Sequence, residues 1–121
     1  MKPETLIYDK VRRIIPDQSE ATIFFAGITE TSYEIFFYSL IEGKFVQCYI
    51  LAEQGKIDEI EMEAVFEKIA KIIRESKQFN AEKYNLATIK VDKSGITLEI
   101  QYHERNVRIY KIKKEWEQIN L

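Results

Sequence analysis

The chain has 121 residues, of which 45% are apolar and 31% charged. This size and composition are typical of one globular domain with its own core, so we expect residues 1–121 to form a single domain. The formal net charge of −2 excludes an overall basic field and therefore disfavours nucleic-acid binding. Cys48 is the only cysteine, and no apolar run approaches the roughly 20 residues of a membrane helix. We expect a cytoplasmic protein that does not associate with membranes.

A helix is predicted over residues 3–15. Proline suits the first turn of a helix, and Pro3 stands at that position. Apolar side chains recur at helical spacing and form one stripe, at Ile7, Val11, Ile14 and Ile15. Pro16 ends the helix, because proline blocks its continuation.

Three strands are predicted next, over residues 21–29, 32–40 and 44–52. They are rich in Ile, Phe, Tyr and Val, which favour a pleated sheet. The links between them are only two or three residues long, so the strands form antiparallel hairpins.

A second helix is predicted over residues 58–77, with Asp58 as its N-cap and Glu61 completing a capping box. A second hairpin follows, with strands at 84–92 and 96–103. Residues 104–120 fit either a helix or an extended strand. A helix is favoured, because Ile109, Ile112 and Trp116 form a helical stripe. The predicted fold is α+β, a single antiparallel five-stranded sheet packed with helices in the order α-β-β-β-α-β-β-α.

The first three strands are apolar on both faces. In the second strand Ile35 and Phe37 point one way, while Phe36 and Tyr38 point the other. Two interpretations remain open: the C-terminal helix and loops cover the second face, or a partner or second copy does.

The sequence lacks the residue patterns of an active site. His103 is the only histidine, Cys48 has no neighbouring base, and the four glycines stand alone. We therefore predict no catalytic residues, no metal site and no cofactor, with Cys48 a buried thiol. The only candidate for nucleic-acid contact is a basic C-terminal segment that contains Arg105, Arg108, Lys111, Lys113 and Lys114.

Acidic residues concentrate between the third strand and the second helix. Residues 50–68 contain six acids and two lysines, a net charge of −4. Such a run is compatible with a solvated helix or with a surface that docks a basic protein. As a protein-binding hypothesis, the docking residues are Glu53, Asp58, Glu59, Glu61 and Glu63.

Several segments resemble the YezG-type immunity protein (antitoxin) family of bacteria. They are the first helix ending at Ile14-Ile15-Pro16, "ATIFFAGITETSYEIFFYSL", the turn Gly43-Lys44, the helix "IDEIEMEAVFEKIAKIIRES" and "YNLATIKVDKSGITLEIQYHERN". The resemblance covers nearly the whole chain.

The resemblance implies a non-catalytic protein that binds and neutralises a cognate toxin, often a nuclease. A toxin is then the expected partner. The alternatives are a self-associating structural domain, such as a homodimer, and a module that binds a small ligand or nucleic acid.

Overall fold

A computed structural model describes all residues, 1–121, as one five-stranded antiparallel sheet with four helices. The elements are α1 (Pro3–Val11), β1 (Ala21–Ile28), β2 (Tyr33–Ile41), β3 (Lys44–Gln47), α2 (Cys48–Glu53), α3 (Glu59–Arg74), β4 (Tyr84–Asp92), β5 (Gly95–His103) and α4 (Ile109–Asn120). The strand order across the sheet is β3-β2-β1-β4-β5. The predicted α+β class and order of elements are confirmed, with α2 as a short addition. The C-terminal segment is a helix, and no helix of the protein is long and apolar enough to span a bilayer.

The main core lies between one face of the sheet and helices α1, α2 and α3. It contains 19 buried residues, centred on Phe24 and Phe37, whose ring centroids are 4.8 Å apart. Phe66 of α3 meets Phe24 edge-on at 6.5 Å. The apolar stripe predicted for α3 is therefore the side that packs on the sheet.

The opposite face of the sheet is covered by α4. Trp116 lies edge-on to Phe25 at 5.4 Å and to Phe36 at 6.0 Å, and its indole Nε1–H donates to Thr88 Oγ1 at 2.9 Å. Ile112 is buried beside it in a second, smaller cluster. Of the two interpretations of the apolar second face, coverage by the C-terminal helix is the one observed.

The extent predicted for the third strand is wrong. The strand ends at Gln47, and residues 48–53 form α2. Cys48 and Leu51 are buried while Tyr49 and Ile50 are exposed, a spacing of three that fits a helix rather than an alternating strand. The Gln47 side chain accepts a hydrogen bond from Tyr49 N–H at 2.9 Å and caps this helix.

Two helices are shorter than predicted. The chain after Val11 tightens into turns, in which Arg13 N–H donates to Lys10 and Ile14 N–H to Val11, each three residues back. The helix predicted to reach residue 77 ends at Arg74.

Candidate protein-binding surface

The five predicted docking residues lie at the end of α2 and the start of α3. Glu53 is the last residue of α2, Asp58 precedes α3, and Glu59, Glu61 and Glu63 occupy the first turns of α3. All five are exposed to solvent.

Asp58 has a structural role as the N-cap of α3. Its Oδ1 accepts hydrogen bonds from the backbone N–H of Ile60 at 2.9 Å and of Glu61 at 3.4 Å. The cap predicted from the sequence is confirmed, although Glu61 does not form the reciprocal bond of a capping box. The Oδ1 atom of Asp58 is therefore engaged by the helix, which leaves Asp58 a weaker candidate for docking.

The acidic residues of α3 fall into two groups. Glu59 and Glu63 are four residues apart and share one side of the helix with Glu67. Glu61 is two residues from each of the first pair, about 200° around the helix axis. The structure thus brings together Glu59 and Glu63 and separates Glu61 from them.

Two tyrosines that were not predicted as binding residues accompany the first group. Burial raises the pKa of Tyr49, and the neighbouring Cys48, Glu63 and Glu59 raise it further. Burial likewise raises the pKa of Tyr33, Glu67 and Glu63 raise it further, and the nearby Arg74 lowers it. Both residues still expose about two fifths of their surface, 41% for Tyr33 and 38% for Tyr49.

We call this region the acidic–aromatic surface. It consists of Tyr33, Tyr49, Glu53, Glu59, Glu63 and Glu67. Glu53 belongs to it because it lies four residues after Tyr49 on α2. Tyr49 was missed because residues 44–52 were interpreted as one strand, and a helical spacing from Cys48 to Leu51 is the signal that places Tyr49 outward.

The acids of this surface have no intramolecular ionic partner. The five salt bridges of the protein join Asp9 to Lys10 and to Arg12, Lys83 to Glu104, Arg105 to Glu30, and Lys113 to Glu34. None includes an acid from residues 53–67. Their negative charge is therefore uncompensated by close contacts and faces solvent.

The basic C-terminal segment is largely engaged within the protein. Lys113 pairs with Glu34 and lies 5.7 Å from the ring centroid of Phe36. Arg105 donates to the backbone carbonyl of Ala81 and pairs with Glu30 at 3.6 Å. Lys114 lies over the ring of Tyr110. The contacts of Lys113 and Arg105 hold the segment on the fold, and their pairing with Glu34 and Glu30 reduces the charge that it offers to a nucleic acid.

Cys48 and His103, the two side chains considered for chemistry, lie in different surroundings. Cys48 is fully buried, as predicted, and burial raises the pKa of its thiol to about 11, so it is protonated at neutral pH. His103 is half-buried at the end of β5. No group of three or more His, Cys, Asp or Glu side chains is arranged to hold a metal ion.

Comparison with known proteins adds no relative. No family model matches the chain, and no curated protein is similar to it. The resemblance to YezG-type immunity proteins therefore remains a prediction from the sequence pattern.

Proposed function

We propose that the protein is a non-catalytic immunity protein that binds and neutralises a cognate toxin through the acidic–aromatic surface. The observation that supports this proposal is the set of unpaired acids beside two half-exposed tyrosines. Tyrosine is enriched at the energetic centre of protein interfaces, because its ring buries a large area with few rotatable bonds.

The negative charge of the surface favours a partner with a basic surface, and the cleft of a nuclease toxin is such a surface. A nuclease cleft is basic because it must hold phosphates, so free carboxylates on an inhibitor attract it and speed association. Glu59, Glu63 and Glu67 supply such carboxylates along one side of α3. Tyr33 and Tyr49 then supply the apolar contact that holds the complex.

The experiment is a protection assay in cells. The protein is co-expressed with its cognate toxin domain, identified by co-purification from the native host, and survival is compared between the wild type and a triple variant, Glu59→Lys, Glu63→Lys and Glu67→Lys. We expect the triple variant to lose protection, because it reverses the field that a basic toxin meets. Its circular-dichroism spectrum and melting temperature should stay nearly unchanged, since all three side chains are exposed.

A second triple variant is the matched control. Glu20, Glu75 and Glu82 are exposed acids outside the acidic–aromatic surface, and their change to Lys alters the net charge by the same amount. This control should protect fully. Full protection by the first variant, or equal loss in both, would exclude the surface as the docking site.

A further inference from the structure

The two edges of the sheet differ in how they are protected against pairing with another strand. On one edge, β3 has only four residues, begins with Lys44 and gives way directly to α2. On the other edge, β5 has nine residues in an unbroken register with β4 from Tyr84↔His103 to Asp92↔Gly95. Short strands and lysines are the usual protection of an edge, and β5 has neither.

The backbone groups that face outward from β5 follow from the ladder. Thr29 N–H donates to Ser32 C=O at 2.9 Å, so odd-numbered residues of β1 bond to β2 and even-numbered ones to β4. Continued through β4, this alternation directs the backbone N–H and C=O groups of the odd-numbered residues of β5 towards β4. The N–H and C=O groups of the even-numbered residues therefore point away from the sheet. These residues are Ile96, Leu98, Ile100 and Tyr102.

No other part of the protein satisfies those eight groups. None of the turn, loop, cap or side-chain hydrogen bonds of the chain reaches the backbone of these four residues. The side chains of Ile96, Leu98 and Ile100 are only partly buried at the margin of the main core. Glu99 is the only acidic or basic residue in the strand apart from His103 at its end, and the strand contains no proline.

We propose that β5 pairs with β5 of a second copy of this chain, antiparallel across a two-fold axis, to form a continuous ten-stranded sheet. A second copy of the chain fits this edge because it presents the same strand with the same pattern of groups. The outward N–H and C=O groups of one strand meet those of the other, its apolar side chains adjoin apolar ones on the core face, and polar side chains adjoin polar ones on the α4 face. This interface is at the opposite edge of the sheet from β3 and α2, so it is independent of the proposed toxin binding.

The position of Glu99 sets the register and limits the strength of the dimer. The longest two-fold register pairs all nine residues but places Glu99 directly opposite its own copy, and like charges at such a position are destabilising. A shift of two residues puts Ile100 on the axis and Glu99 opposite Gln101, whose amide can donate to the carboxylate. Glu99→Gln removes the like-charge repulsion from the longest register, so we expect it to tighten the dimer.

The test is sedimentation equilibrium of the full chain over a wide concentration range. We expect a reversible monomer–dimer equilibrium for the wild type. Ile100→Pro removes an outward N–H while leaving the bonds to β4, so it should weaken the dimer at least about tenfold relative to Ile100→Ala, which loses the same side chain but keeps the N–H. Glu99→Gln should strengthen the dimer, whereas Glu75→Gln, with the same change of charge at the end of α3, should leave it unchanged.

Amide hydrogen exchange keeps the proposal testable if Ile100→Pro fails to fold. Protection of the amides of Ile96, Leu98, Ile100 and Tyr102 in the wild type should rise with protein concentration. A wild type that stays monomeric up to about 1 mM would overturn the proposal. Protection of these amides that arises only on adding another protein would overturn it as well, since the occupant would then be a foreign strand.

Discussion

At the scale of single residues, Asn85 shows how a buried polar group can hold a loop on the sheet. Its side chain is fully buried. Its Nδ2 donates to the carbonyls of Ile28 at 3.2 Å, Asn80 at 2.8 Å and Lys83 at 3.0 Å, while its Oδ1 accepts from Asn80 N–H at 2.9 Å. One side chain thus joins the loop before β4 to β1.

We predict that Asn85→Asp lowers the free energy of unfolding by about 3 kcal/mol. The aspartate has nearly the same shape but cannot donate, so three carbonyls lose their donor and a charge is buried without a cation. Urea denaturation measures this loss. Asn106→Asp is the matched control, because Asn106 is exposed and this substitution should leave the free energy of unfolding unchanged. A loss at Asn85 no larger than at Asn106 would show that these hydrogen bonds do not stabilise the fold.

The role of Asn85 is beyond what the sequence alone indicates. The residue stands in an apolar strand, and its position there was predicted correctly. Its partners, however, are backbone carbonyls of a loop and of another strand, and only the folded chain brings them together. Asp58 is the opposite case, since both partners of its side chain lie within three residues and the cap was predicted correctly.

At the scale of elements, α4 depends on packing more than on its own capping. Its N-cap residue, Arg108, makes no side-chain capping bond. What holds the helix is the contact of Trp116 with Phe25 and Phe36, together with buried Ile112. Such a helix should leave the sheet when its central aromatic side chain is removed.

We predict that Trp116→Ala destabilises the protein by about 3–5 kcal/mol and exposes the aromatic face of the sheet. Urea denaturation measures the loss, and binding of an apolar dye reports the exposed face. Tyr110→Ala on the same helix is the control, because Tyr110 is 72% exposed and removal of its ring should cost little stability. An unchanged stability in Trp116→Ala would contradict the view that α4 is held by this contact.

The elements that were predicted correctly have strong local signals, and the errors fall where those signals conflict. The β4–β5 hairpin was predicted nearly to the residue because its alternation is regular. Residues 48–53 contain tyrosine and isoleucine, which favour strands, yet the chain forms α2 because this buries Cys48 and Leu51 together in the core. The same error hid Tyr49, so three acids of the acidic–aromatic surface were named from the sequence, while Glu67 and the two tyrosines were not.

At the scale of the whole molecule, the sheet separates two surfaces of different chemistry. The acidic–aromatic surface lies beside β2, α2 and α3, while the open strand edge lies at β5. Between them, α4 covers one face of the sheet and the other helices cover the second. A dimer through β5 would therefore carry two acidic–aromatic surfaces, one at each end of the joined sheet.

The central claim is that acids on one side of α3 bind a basic partner. The most direct test is calorimetric measurement of the dissociation constant for the cognate toxin domain, identified by co-purification from the native host. The double variant Glu59→Lys with Glu63→Lys should bind at least about tenfold more weakly and with less dependence on salt. The control, Glu61→Lys with Glu75→Lys, carries the same charge change away from the tyrosines and should stay within about twofold of the wild type. Equal weakening in both variants, or in neither, would contradict the claim.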